Sequence, residues 1–201
     1  MENEKNTEEQ LLNSVESDGI VQSETENKKA NEEYVPNNRF ESALYSVYKN
    51  DTLNSILHVL SYVIAGLAAY AFLWRTVTLA VSDAWEALRL LLVTGVPFVL
   101  VSILRKLIDA PRPYEFLEFY KKKPKAKQGQ SFPSRHVFSV TVIGVCLMPW
   151  SVLVGAGLLV LGAALAVIRV LLGMHFVRDV AAGAAIGVLS GAIGLLINYI
   201  I

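Results

Sequence analysis

Five apolar stretches of roughly membrane-span length, each bounded by charge, proline or tryptophan, constrain this chain's fold more than any other feature. They run over about residues 54–74, 87–104, 136–148, 152–172 and 180–201. A helix needs about 20 apolar residues to cross ~30 Å of hydrocarbon, and in lipid the backbone must satisfy its own hydrogen bonds within each segment. The expected fold is all-α: an integral membrane helical bundle with about five transmembrane helices. A hydrophobic content of 53% agrees with this, as does a mean hydropathy of +0.43.

The span ends carry their own signals. Trp74 and Arg75 are expected to close the first span at the interface. Arg89 is close enough to the start of the second to snorkel, Pro97 after Gly95 predicts a kink, and Arg105 with Lys106 ends it. Pro149 and Trp150 make the next turn, and the Gly- and Ala-rich last span suits close helix packing. His58, alone on an apolar helix, reads as structural. Cys146 is the chain's single cysteine, which excludes a disulfide framework and a cysteine-based metal site.

Three regions follow. Residues 1–38 are rich in Glu, Asn, Ser and Lys and are expected to form a disordered acidic tail, without the basic-then-apolar pattern of a signal peptide. Residues 39–53 place Phe40, Leu44, Tyr45 and Tyr48 near helical spacing, predicting an amphipathic helix on the membrane surface. Residues 54–201 are the membrane domain. Net charge is zero, but residues 1–40 hold ten acids and four bases (−6) and the remainder eight acids and fourteen bases (+6). A basic body implies anionic partners.

An odd number of spans brings the 105–135 loop and the 169–179 turn to one membrane face, and the ionisable residues concentrate there. Arg105 and Arg112 are seven apart, bracketing Pro111; they either anchor the interface or grip phosphate oxygens with planar donors. Ser134 opens the third span, where free backbone N–H groups favour an anion; its hydroxyl either caps the helix or binds a phosphoryl oxygen. His136 is placed to give a proton to a leaving oxygen. Arg169 ends the fourth span and Gly173 permits a sharp turn. His175 and Asp179 are four apart, so on a helix they share a face and the carboxylate holds the imidazole, leaving His175 as nucleophile or base. The lysines at 121, 122, 123, 125 and 127 form either a solvated loop against headgroups or a substrate-attracting patch. Three histidines without a carboxylate pair do not make a metal site, and no small-residue elbow surrounds Ser134. The combination points to phosphoryl chemistry with neither metal nor cofactor.

Taken together, Arg105 through Arg112-Pro113, Pro133-Ser134-Arg135-His136, and Ile168-Arg169 through His175 to Asp179 resemble the type 2 phosphatidic acid phosphatase family. That family's pattern is Lys, six residues, Arg-Pro; then Pro-Ser-Gly-His; then Ser-Arg, five residues, His, three residues, Asp. The resemblance covers roughly residues 55–200. Here Arg105 replaces the pattern's Lys, Arg135 its Gly and Ile168 its Ser. The resemblance implies that His175 attacks phosphorus, oriented by Asp179, while His136 serves the leaving group and then the water. It implies that Arg105, Arg112, Ser134 and Arg169 hold the phosphoryl oxygens, with Arg135 beside them. The implied substrate is a lipid phosphate or diphosphate: phosphatidate, phosphatidylglycerophosphate or a polyprenyl diphosphate.

The alternative is a non-catalytic membrane protein that binds anionic headgroups through the same Arg and Lys residues; such a protein has no use for two histidines and an aspartate. A haloperoxidase, known from soluble members of the family, is disfavoured by the five spans. The expected partners are membrane lipids and the lipid phosphate, with no nucleic acid, and the expected location is the cell membrane. Lys and Arg near the span ends favour a cytoplasmic site, whereas the resemblance implies the outer face for many bacterial relatives.

Overall fold

The computed structural model describes residues 34–121 and 128–200. Residues 1–33 of the expected tail, and Lys122, Lys123, Lys125 and Lys127, lie outside the described residues. From Asn38 onward the chain forms one compact unit, and among the described residues all regular structure is helical: α1 Arg39–Lys49, α2 Asp51–Ser82, α3 Ala84–Ile108, α4 Pro113–Phe116, α5 Glu118–Lys121, α6 Arg135–Leu147, α7 Val152–Leu171 and α8 Val177–Ile200.

Side-chain caps set the boundaries. Asn38 Oδ1 accepts from Glu41 N at 2.9 Å and Asn50 Oδ1 from Leu53 N at 2.9 Å. Asp83, the single residue between α2 and α3, accepts from Trp85 N and Glu86 N. Each satisfies amides that a helix start leaves open.

Four helices are long and apolar enough to cross a membrane: α2, the helix beginning at Ala84, α7 and α8. One expectation needs correcting: Arg75 does not close the first span, because α2 runs on to Ser82, about seven residues or ~10 Å further. The third expected span, α6, is an apolar helix of 13 residues, about 20 Å long and shorter than the other four; it is the helix the others enclose, touching α2, α3, α7 and α8.

The apolar face of α1 packs on protein. Leu44 and Val47 are buried, and Tyr45 and Tyr48 meet Phe119 at 5.4 and 5.2 Å between ring centroids. Most core residues belong to α2, α6, α7 and α8, including Ile64, Val137, Val140, Leu147, Leu158 and Leu165, with Leu172 just past the end of α7.

Backbone proximity fixes α6 in place. On α8, Gly183, Gly187 and Gly191 recur every four residues and face it: a Cβ on Gly183 would sit 2.5 Å from Ser134 O, and one on Gly187 2.9 Å from Phe138 O. On the other flank, a Cβ at Gly155 would lie 2.7 Å from Gly144 O. Lipid tails are as apolar as leucine, so such bundles gain from close packing rather than from the hydrophobic effect.

Gly187→Leu is therefore expected to destabilise the bundle by about 1–3 kcal/mol or more, as overpacking does. Gly157→Leu on α7, where nothing lies within 4 Å of the added carbon, is expected to change little. Thermal unfolding of the two variants in detergent is the check; equal midpoints would show that the glycine stripe does not hold α6.

Candidate active site

All eight residues singled out from the sequence lie at one end of the bundle, where α3 and α7 finish and α6 and α8 begin. Arg105 is in the last turn of α3, whose C-cap Asp109 adopts the left-handed conformation and ends the helix before Pro111. Arg112 precedes α4, Ser134 precedes α6, and Arg169 lies in the last turn of α7. His175 lies in the turn between α7 and α8, and Asp179 in the first turn of α8. Arg105, Arg112, Ser134, Arg169, His175 and Asp179 are buried; Arg135 and His136 are half-buried.

The 128–134 segment crosses this end and is tied down by guanidinium groups. Arg105 donates from Nη1 to Pro133 O at 2.6 Å and from Nη2 to Gln130 O. Arg112 Nε donates to Gly129 O at 2.8 Å. Glu115 Oε1 accepts from Arg112 N at 3.0 Å and Gly129 N at 2.8 Å, pinning both ends of the same loop. Across the site, Tyr114 N donates to Gly173 O at 3.2 Å. Gly173 has φ +64, and a Cβ there would approach Tyr120 Oη to 2.7 Å, so the turn before His175 requires glycine.

His175 and Asp179 do not share a helix, because α8 begins only at Val177. Asp179 is held instead by the helix start: its Oδ2 accepts from Phe176 N at 2.9 Å, one half of a capping box. It also accepts from Ser131 Oγ, and its backbone oxygen accepts from Ser134 N at 2.8 Å. The carboxylate lies 3.8 Å from His175 Nδ1, an ion-pair separation beyond hydrogen-bond reach, with Ser131 Oγ 3.4 Å from the same nitrogen. Ser131 thus touches both side chains, a placement for which the sequence reading assigned no role. Its signal was weak, a serine three residues before Ser134 with no spacing rule attached. Glu115 gave no signal at all, since its partners are backbone amides.

Burial pushes the His175 imidazole below its ordinary value; Asp179 opposes this, while Arg105 and Arg112 reinforce it. The charges of Arg105, Arg135, Arg169 and His175 all act on His136, which places the two imidazoles and three guanidiniums in one electrostatic neighbourhood. Among the described residues, the buried donors without a protein partner include Ser134 Oγ, Arg169 Nε and one terminal nitrogen of Arg169. The other terminal nitrogen meets Met174 Sδ at 3.1 Å, a weak acceptor. Ser134 therefore occupies the N-cap position without a side-chain cap bond. Arg135 turns toward α3, its guanidinium 5.5 Å from the Phe98 ring centroid. Among the described residues, no three His, Cys, Asp or Glu side chains gather as metal ligands.

A membrane bundle with arginines, imidazoles and a capped aspartate converging at one end is the arrangement of a known class. Residues 86–199 match the PAP2 superfamily, more than half of the chain, and the protein belongs to that family. Its fold is similar to that of LpxE from Aquifex aeolicus, with a TM-score of 0.60 and 23% identity, covering 78% of this chain and 92% of that one. It is also similar to a transmembrane PAP2-type phosphatidylglycerolphosphate phosphatase from Bacillus subtilis, with a TM-score of 0.51 and 22% identity, covering 81% and 93%. No curated protein matches by sequence. The chain is an integral membrane protein with an all-helical fold.

Two outcomes are expected. In NMR titration of histidine-labelled protein, the His175 ring is expected to stay neutral until the pH falls below the usual ~6.5, since its folded value is depressed; protonation at or above that pH would contradict the burial argument. Ser131→Ala removes a donor to Asp179 and a neighbour of Nδ1, and is expected to lower kcat by about tenfold or more, in the range seen when an orienting partner is lost, with KM nearly unchanged. An unaltered kcat would make Ser131 merely structural.

Proposed function

We propose that this protein is a membrane lipid phosphatase that works through a phosphohistidine. The observation that supports it best is the set of buried, unpartnered donors on Ser134 and Arg169 beside His175 and His136. Buried polar groups are nearly always satisfied, and guanidinium N–H groups suit phosphoryl oxygens in particular. Simple headgroup binding gives no reason for a neutral imidazole held by Ser131 and Asp179.

In this scheme Asp179 and Ser131 occupy the Nδ1 side of His175, leaving Nε2 as the nucleophile. Nε2 attacks phosphorus, the P–O bond to the leaving group breaks, and His136 gives that oxygen a proton. His136 then takes a proton from water, whose oxygen cleaves the P–N bond, releasing inorganic phosphate and restoring His175. Arg169, Arg112, Arg105 and Ser134 offset charge on the phosphoryl oxygens as it develops.

The lipid character of the substrate is supported by the surroundings of His136. Two apolar troughs of about 310 and 340 Å³ share Ala69, Phe98, Ser139 and Ile143; one begins at Arg135 and His136 and the other continues between α2 and α3 past Leu73 and Leu91. A tail lying there leaves its phosphate at the imidazoles. This suits phosphatidate, phosphatidylglycerophosphate and polyprenyl diphosphate alike, in keeping with the phosphatidylglycerolphosphate phosphatase among the similar folds.

His175→Ala is expected to abolish phosphate release from a panel of these lipids in detergent micelles while the protein still inserts and migrates as a monodisperse species. Turnover retained above a hundredth of wild type would remove the nucleophile assignment. Arg135→Gly opens the mouth of the trough and is expected to raise kcat/KM for bulky headgroups; a uniform collapse across the panel would mean that Arg135 contacts the phosphate.

A further inference from the structure

At the other end of the bundle, α2 and α8 finish, α3 begins and α6 turns into α7. A cavity of about 190 Å³ lies there, lined by Arg75, Glu86, Arg89, Trp150 and apolar residues including Leu79 and Val93. Arg89 is fixed by its ion pair with Glu86 at 2.9 Å, with its guanidinium 5.9 Å from the Trp85 ring centroid. Arg75 faces the Trp150 ring at 5.5 Å, and among the described residues no carboxylate pairs with it. The charged residues lining the cavity are thus two guanidiniums and one carboxylate.

Interfacial anchoring alone does not account for this. An anchoring arginine belongs at a helix end and reaches outward to water, whereas Arg75 sits well inside α2 and turns inward over an aromatic ring. The cavity has the volume of about six waters, enough for a phosphate group and its ester oxygens. Around it Trp74, Val77, Trp85 and Leu88 are exposed, an apolar rim suited to acyl chains, and tryptophans mark headgroup depth.

We propose that this cavity binds the phosphate of an anionic phospholipid from the leaflet opposite the candidate active site, with Arg75 as its principal cation and Arg89 beside it. The site is separate from the phosphatase reading, and neither depends on the other. Its occupant is a structural or regulatory lipid that stays intact, because no histidine lines the cavity.

The chain's three tryptophans, Trp74, Trp85 and Trp150, all lie at this end, so intrinsic fluorescence reports on this site and not on the other. The full-length protein would be placed in phosphatidylcholine nanodiscs containing a minor fraction of either acyl-brominated phosphatidylglycerol or acyl-brominated phosphatidylcholine. Wild type is expected to favour the anionic quencher by about fivefold in relative association, the factor expected of one cation near anionic lipid. Arg75→Gln is expected to bring the two quenchers close to parity, and Arg75→Lys to keep part of the preference. Should Arg75→Gln fail to insert, Arg89→Gln is expected to show the same loss in smaller measure. Equal quenching in wild type, or an undiminished preference in an inserted Gln variant, would overturn the site.

Discussion

Taking several guanidinium groups out of water at the end of a membrane bundle is the constraint on which the site's architecture depends. Arg105, Arg112 and Arg169 are all buried, and Asp179 is the buried carboxylate among them. Arginine stays charged under all ordinary conditions, so a buried guanidinium calls for acceptors. Backbone carbonyls supply them for two of the three, Pro133 and Gln130 for Arg105 and Gly129 for Arg112, whereas Arg169 keeps two nitrogens without a protein partner. The 128–134 segment is therefore shaped by the arginines as much as it carries the site. Its path delivers Ser131 to Asp179 and Ser134 to the start of α6 in one crossing.

Asp179 joins this charge arrangement to the helix packing. Its side chain caps α8 and accepts from Ser131, and its backbone oxygen takes the Ser134 amide. Four residues later Gly183 lets α8 approach Ser134 closely. The same short stretch of α8 thus positions the Ser134 hydroxyl and the groups around His175 Nδ1. Packing and chemistry are set by one contact between α6 and α8, and a shift of either helix would move both halves of the site together.

Much of this was legible in the sequence, for identifiable reasons. Apolar run length gave α2, α3, α7 and α8, since hydrocarbon thickness sets a minimum that few other folds meet. Charge in otherwise apolar surroundings marked Arg105, Arg169, His175 and Asp179. Other features were hidden. The extension of α2 past Arg75 was masked because an arginine beside a tryptophan reads as an interface. The burial of α1 against Phe119 and Tyr120 was invisible, because an amphipathic face looks the same whether it meets lipid or protein. The 3.8 Å gap between His175 and Asp179 depends on where α8 starts, and only the cap reveals that. Ser131 and Glu115 work through geometry that no spacing encodes.

The departures from the family pattern acquire physical meaning at this point. Ile168 is buried in the core with Leu165 and Leu172, so apolar packing stands where the pattern's Ser would bring a hydroxyl. Arg105 uses two nitrogens of its planar fork on two separate carbonyls; a lysine's compact ammonium at the same place would have to choose a narrower reach. Arg135 is the departure with the largest consequence. A glycine would leave the α6 start bare beside His136, but here a guanidinium leans on Phe98 over the mouth of an apolar trough. Its charge stays within reach of His136, so one side chain acts on the imidazole electrostatically and on the tail path sterically. Under the proposed function, selectivity is then expected to arise where headgroup and chain meet, at the α3–α6 edge, rather than among the arginines proposed to hold the phosphate.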